Sequence, residues 1–251
     1  MWYMIPAKSA YELKAMREAG VLLARIVDKI RGKIKTGIST EEIDKIAEEL
    51  ILGEGALPAF KGYRGFPASV CASLNEEVVH GIPSGRCLKD GDLLKLDIGI
   101  NLNGFFSDYA FTFAIGNISG RARRLIEAAK KSLELGIREA RVNNRLFDIS
   151  WAIQNYIESQ GFSVVRDFVG HGIGRDMHEP PEIPNFGQPH SGPLLREGMV
   201  LAIEPMVNAG SWQVRISENG WTALAKDGLE SAHFEHTVAI TAAGPEILTK
   251  I

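Results

Sequence analysis

The chain has 251 residues, 28 basic and 31 acidic side chains, a net charge of −3 and two cysteines. Hydrophobic residues at 45% and charged residues at 24% match ordinary globular domains, which excludes a disordered, collagenous or disulfide-stapled chain. The near-balanced charge supplies no bulk attraction to nucleic acid or an anionic membrane. Met1 to Leu13 lack the basic start and apolar run of a leader, and no stretch approaches the roughly 18 apolar residues of a membrane span. Cys71 and Cys87 read as reduced thiols, and the expected location is the cytoplasm.

In chain order, Ser9 and Glu12 make a capping box ahead of Leu13, Met16, Leu23, Ile26 and Ile30, which recur at helical spacing. Ser39 and Glu42 repeat the device before Ile43, Ile46, Leu50 and Ile51, with Gly53 as a stop. A second helix pair is predicted over 121–140 and 146–160. Strands are predicted over 93–101, 105–115, 162–166, 199–203 and 237–240. The segment from Leu88 to Asp97 can be laid over that from Leu195 to Glu204: leucine, base, acid, glycine, then a strand ending on a carboxylate. Each copy follows a helix pair. The whole chain, residues 1–251, therefore reads as one α+β domain of two similar halves, with carboxylates from both meeting at the centre.

Asp97 and Asp108 lie on consecutive strands joined through Asn103-Gly104, a strong two-residue hairpin signal. With Leu102 facing Phe105, Asp108 faces Gly99 and Asp97 faces Ala110. Both carboxylates then project from one sheet face, about 7–8 Å apart at the backbone. Two like charges there need a cation or proton, and Gly99 is expected to leave space for an ion. An isolated pair of this kind equally serves to bind arginines or cap loops.

His171 and His178 lie in a glycine-rich segment whose Pro180 and Pro181 prevent a long phosphate-binding helix. It reads as an excursion permitted by glycine conformational freedom that holds two imidazoles. His80 follows Val78-Val79 at a strand or loop end, and Glu204 and Glu235 are acids in apolar, strand-like surroundings. Singly, each histidine has an ordinary structural reading.

Together, Asp97, Asp108, His171, Glu204 and Glu235 resemble the metal-ligand set of the pita-bread metallopeptidases, specifically the type I methionine aminopeptidases. The motifs are Ser69 to Glu76 running on to His80-Gly81-Ile82-Pro83, the aspartate pair, and the His171–His178 segment. Ile203 to Gly210, Gly220-Trp221-Thr222 and Phe234-Glu235-His236-Thr237 complete them. The resemblance runs end to end. It implies a pita-bread fold, with two pseudo-symmetric halves of helix pairs packed on a central curved antiparallel sheet.

It also implies two divalent ions, cobalt, manganese, iron or zinc, bridged by Asp108 and Glu235 and completed by Asp97, His171 and Glu204. Oxygen-rich donors with one imidazole suit such ions, which lower the pKa of a water and polarise a carbonyl. Glu204 is expected to shuttle the proton, His178 to stabilise the tetrahedral intermediate, and His80 to position the peptide. Tyr63, Phe66, Cys71, Met177 and Trp221 are expected around the methionine side chain. Met177, Phe66 and His233 depart from the familiar pattern; His233 stands where glutamine usually precedes the Phe/Tyr-Glu-His-Thr motif.

The implied substrate is the initiator methionine of nascent chains whose second residue is small. A monomer with transient proximity to the ribosome follows, with no direct nucleic-acid or membrane partner. One rival is an Xaa-Pro aminopeptidase or dipeptidase of the same fold, which generally carries a further N-terminal domain; only about eighty residues precede His80. The other is a non-catalytic binding module, against which the full ligand set speaks.

Overall fold

Both capping boxes form where the sequence places them. Ser9 Oγ accepts the Glu12 N–H while the Glu12 carboxylate accepts the Ser9 N–H, opening helix α1 (Ala10–Arg31). Ser39 and Glu42 open α2 (Thr40–Gly53) in the same way. These contacts belong to a computed structural model that describes residues 5–251; Met1 to Met4, the first part of the segment read for a leader, lie outside the described residues. No helix is long and apolar enough to cross a membrane among the described residues.

The first half continues with strands β1 (Leu57–Pro58), β2 (Val70–Leu74), β3 (Glu77–Val79), β4 (Leu93–Leu102) and β5 (Phe105–Ala114). Strand β4 pairs antiparallel with β5 along its whole length and shares its other edge between β1 and β2. Asn103 and Gly104 both have positive φ, 53° and 83°, as a tight hairpin turn requires. The register is the expected one: Leu102 opposite Phe105, Gly99 opposite Asp108, Asp97 opposite Ala110. Leu96, Ile98, Ile100 and Phe111 form the apolar face and pack against Leu23, Ile26, Ile30, Ile43 and Ile51 of α1 and α2. Each fully buried aliphatic side chain of this kind stabilises the fold by roughly 1.5–3 kcal/mol.

The second half repeats the plan. Helices α3 (Gly120–Glu139) and α4 (Leu146–Ser159) precede β6 (Ser163–Val164), β7 (Gly170–Gly172), β8 (Glu179–Ile183) and β9 (Val200–Ile203). After them come β10 (Met206–Asn208), β11 (Val214–Ile216), β12 (Ala223–Ala225), β13 (Ser231–His233), β14 (His236–Thr241) and β15 (Gly244–Ile247). The larger sheet has the order β15-β14-β9-β7-β8, and its Leu201, Ile203, Val238 and Ile240 pack on Leu125, Leu133, Ile149 and Ile153 of α3 and α4. Two three-stranded antiparallel sheets, β13-β10-β6 and β11-β12-β3, flank the centre. Pro180 and Pro181 fall on β8, an edge strand, where a missing N–H costs least.

The internal echo is visible in the backbone, since Gly91 and Gly198 occupy matching turns with φ of 93° and 86° before β4 and β9. The strand expected over 162–166 is shorter than the pattern suggests. Only Ser163 and Val164 pair, because β10 offers them a partner of three residues.

The halves meet where β5 faces β14. The Asp108 N–H donates to Thr237 Oγ1 at 2.9 Å, and the Thr237 hydroxyl donates back to the Asp108 carbonyl at 2.8 Å. The Glu235 N–H donates to the Ala110 carbonyl at 2.8 Å.

Candidate metal centre

That seam sets Asp108 and Glu235 side by side. Asp97 joins them from β4 by the hairpin register, His171 comes from the middle of β7, and Glu204 directly follows β9, the strand paired with β7. His171 Nε2 lies 3.9 Å from Asp108 Oδ2 and 3.6 Å from Glu204 Oε1. Donor atoms of Asp108, His171 and Glu235 fall within 4.8 Å of one another, and so do those of Glu204, His233 and Glu235; Asp97 belongs to neither set.

Asp108 and Glu235 are 4% and 1% exposed. No lysine or arginine among the described residues pairs with Asp97, Asp108, Glu204 or Glu235. Asp97 Oδ1 and Glu235 Oε1 are buried without a hydrogen-bond partner among the described residues. Burial pushes Asp97, Glu204 and Glu235 well above the usual carboxylate range, aided by the neighbouring acids, and raises Asp108 to about 7. Orphaned oxygens on four converging acids are costly unless a cation sits among them. The imidazole is prepared in the complementary sense. His171 Nδ1 hydrogen-bonds the Gly172 carbonyl at 2.9 Å, so its proton sits there and the Nε2 lone pair faces the carboxylates. Burial lowers His171 to about 3, keeping the ring neutral. Hard oxygens with a neutral imidazole fit divalent first-row ions.

Two local expectations need correction. A Cβ on Gly99 would lie 2.8 Å from Phe60 Cε1 and 3.0 Å from Ala59 Cβ, so the space beside Gly99 is filled by protein rather than left for an ion. The glycines around His171 are also required for a different reason. Gly170, Gly172 and Gly174 do not have positive φ. They are tight contacts: a Cβ would meet the Ala202 carbonyl at 2.5 Å from Gly170 and the Pro180 carbonyl, closer still, from Gly172.

A cleft of about 960 Å³ opens over the centre and is lined by His80, Asp97, His171, His178, Glu204 and Phe168. His178 stands 4.2 Å from His171, ring centre to ring centre, and its Nδ1 is 2.9 Å from the Tyr63 hydroxyl, on whose ring it stacks. Burial, then the charges of Arg64 and His80, brings His178 down to about 4. His80, just past β3, has φ of 59°, a left-handed backbone that a side chain rarely adopts, and its ring meets Phe168 edge-on.

Tyr63, Phe66, Cys71, Met177 and Trp221 gather in one apolar cluster beside the acids, with Trp221 edge-on to Phe66 at 5.2 Å. None of the five lines the cleft itself. Burial and the nearby acids push the Cys71 thiol up, so it packs as a neutral sulfur.

Two further buried groups escaped the site reading. Lys95 is only 1% exposed, and its Nζ donates to the carbonyls of Asn75 at 2.6 Å and Ser231 at 3.3 Å; burial lowers it to about 7. Its signal was alternation, since Lys95, Asp97, Gly99 and Asn101 share one face of β4. His233, marked in the sequence only as a departure from glutamine, places Nε2 3.4 Å from Glu204 Oε2.

The profile of metallopeptidase family M24 matches residues 14–242. A methionine aminopeptidase of Clostridium perfringens is 55% identical over 248 residues, covering 99% of this chain and 100% of that one. The crystal structure of a methionine aminopeptidase from Thermotoga maritima superposes with a TM-score of 0.97 at 43% identity, over 99% of this chain and 100% of that chain. A prolidase from Pyrococcus furiosus gives a TM-score of 0.79 at 24% identity over 98% of this chain and 65% of its own, a likeness of fold alone. These agreements, of sequence along the whole chain and of a pita-bread architecture around converging acids, place the chain in metallopeptidase family M24, in its methionine aminopeptidase branch.

Proposed function

We propose that this chain, as one catalytic domain over residues 1–251, removes the N-terminal methionine of nascent proteins whose second residue is small. The observation that carries the reading is the buried acid cluster, without a lysine or arginine partner among the described residues, at the floor of a cleft walled by His80 and His178. The residues present fit a pair of divalent ions, cobalt, manganese, iron or zinc. Asp108 and Glu235 would hold both, and Asp97, His171 and Glu204 would complete the shells. When bound, such ions supply Lewis acidity and a water that ionises near neutral pH.

The chain's own groups do the rest. Glu204, half-buried with its carboxylate toward His171, takes a proton from the attacking water and passes it to the departing amine. Tyr63 donates its hydroxyl proton to His178 Nδ1, which leaves the Nε2 proton to meet the oxygen on which charge develops. His80, fixed by its strained backbone and by Phe168, positions the peptide main chain. Phe66, Cys71, Met177, Trp221 and Tyr63 receive the methionine side chain, whose flexible thioether suits aromatic and sulfur neighbours. The enzyme works as a cytoplasmic monomer near the ribosome.

The test is to strip the protein with chelator, then offer Met-Ala-Ser and an Ala-Pro peptide with manganese, cobalt, iron or zinc restored singly. Metal-dependent release of methionine from the first peptide alone is expected. Cleavage before proline would move the chain to the prolidase branch, and no cleavage with any ion would leave a binding role.

A further inference from the structure

His233 ends β13 opposite Met206 of β10, and its backbone is held from both sides by one side chain. The Thr112 hydroxyl donates to the His233 carbonyl at 2.8 Å and accepts the His233 N–H at 2.9 Å. The ring is 1% exposed, and neither of its nitrogens has a hydrogen-bond partner among the described residues. It faces the Glu204 oxygen that His171 does not: Nε2 is 3.4 Å from Oε2, while His171 Nε2 is 3.6 Å from Oε1. Glu204, His233 and Glu235 each offer a donor atom within 4.8 Å of the others.

The 3.4 Å separation is informative. A hydrogen bond from an imidazole N–H to a carboxylate is usually about 2.7–3.2 Å long. Two ligand atoms each about 2.1 Å from one ion, at a tetrahedral angle, are roughly 3.4 Å apart. This fully buried nitrogen lies beside an acid of the cluster without making a hydrogen bond to it. We propose that His233 is a further metal ligand of this chain, binding through Nε2 an ion held by Glu204 and Glu235, so that the centre carries two imidazoles rather than one. The inference rests on the metal-centre reading above. A second neutral nitrogen donor takes a coordination position without changing the charge, and it biases the centre toward imidazole-favouring ions such as zinc and cobalt over manganese.

The test uses the full chain, stripped with chelator and loaded with cobalt(II). The proton NMR spectrum of the wild type should show two exchangeable, paramagnetically shifted imidazole N–H signals. One should be lost in His233→Gln, a variant that keeps a hydrogen-bond donor near Glu204 and would preserve a merely positioning role. By titration calorimetry, zinc affinity should fall about tenfold or more in the variant, and manganese affinity by much less. A single shifted signal, the same in both proteins, overturns the proposal while leaving the metal centre intact. Failure of the wild type to bind cobalt overturns both. If His233→Gln does not fold, X-ray absorption on the zinc-loaded wild type decides: scattering from two imidazoles supports the proposal, and from one overturns it.

Discussion

At the scale of single residues, Asp97 concentrates a conflict of buried charge that a bound cation would relieve. In metal-free protein its carboxyl is held above the usual range by burial and by the charges of Asp108 and Glu204. In the unfolded chain it ionises near 3.9. Between those values the folded state binds the extra proton, so its contribution is most favourable at low pH and is lost as pH rises through the folded pKa. Asp97→Asn does not titrate. In chelator, its stability relative to the wild type should therefore improve with pH, by up to about 1.4 kcal/mol per pH unit within the window. Urea unfolding at about pH 5 and about pH 8 measures this, and a constant difference would mean that Asp97 ionises normally. Tyr63 allows a second test. Tyr63→Phe keeps the ring stacked on His178 but removes the hydroxyl at 2.9 Å. About 1 kcal/mol, or fivefold in kcat/KM, should be lost, with no change in metal content.

The aspartates were legible because strand alternation and an Asn-Gly turn fix register by local rules. Lys95 and His233 were not. Their burial arises only when Ser231 and His233 of β13 cross over β4 and β5, 121 or more residues away in the chain.

At the scale of elements, the helices were readable because each carries an apolar face of period 3.6 and the first two also begin at capping boxes. Strands of three residues, such as β7 and β10 to β13, offer no such period, and they are what carries or supports the site. Strand β7 shows the constraint most plainly. A methyl on Gly172 would run into the Pro180 and Glu179 carbonyls, which are backbone and cannot swing aside. Gly172→Ala should cost about 1–3 kcal/mol by overpacking and displace His171, weakening metal binding as well. Gly53→Ala, at the end of α2 where a Cβ meets nothing within 4 Å, should be neutral or stabilising by up to about 1 kcal/mol. Denaturant unfolding of both variants checks the pair; equal costs would mean that close approach is not what β7 requires.

At the scale of the whole molecule, the two helix-backed halves bury separate apolar cores and meet along the seam of Asp108, Ala110, Glu235 and Thr237. The acids of that seam repel one another unless a cation is present, so metal binding and docking of the halves are linked. Divalent metal at a hundred times its Kd should stabilise the chain by about 2.7 kcal/mol, and each further tenfold by about 1.4 kcal/mol. Thermal melts across a metal titration measure this, and a midpoint independent of metal would remove the linkage. The internal echo in the sequence anticipated this plan, because the same turn and strand appear twice. It did not reveal how the halves interlock, which depends on a threonine hydroxyl reaching across 129 residues of sequence.

The two-way bond between Thr237 and Asp108 bears on metal capture as well. The first half carries Asp97 and Asp108, and the second carries His171, Glu204 and Glu235. With the ligand set proposed above, neither half would own a complete cage, and metal capture would require both to be folded together. Ion capture would then report that the two lobes have closed on each other.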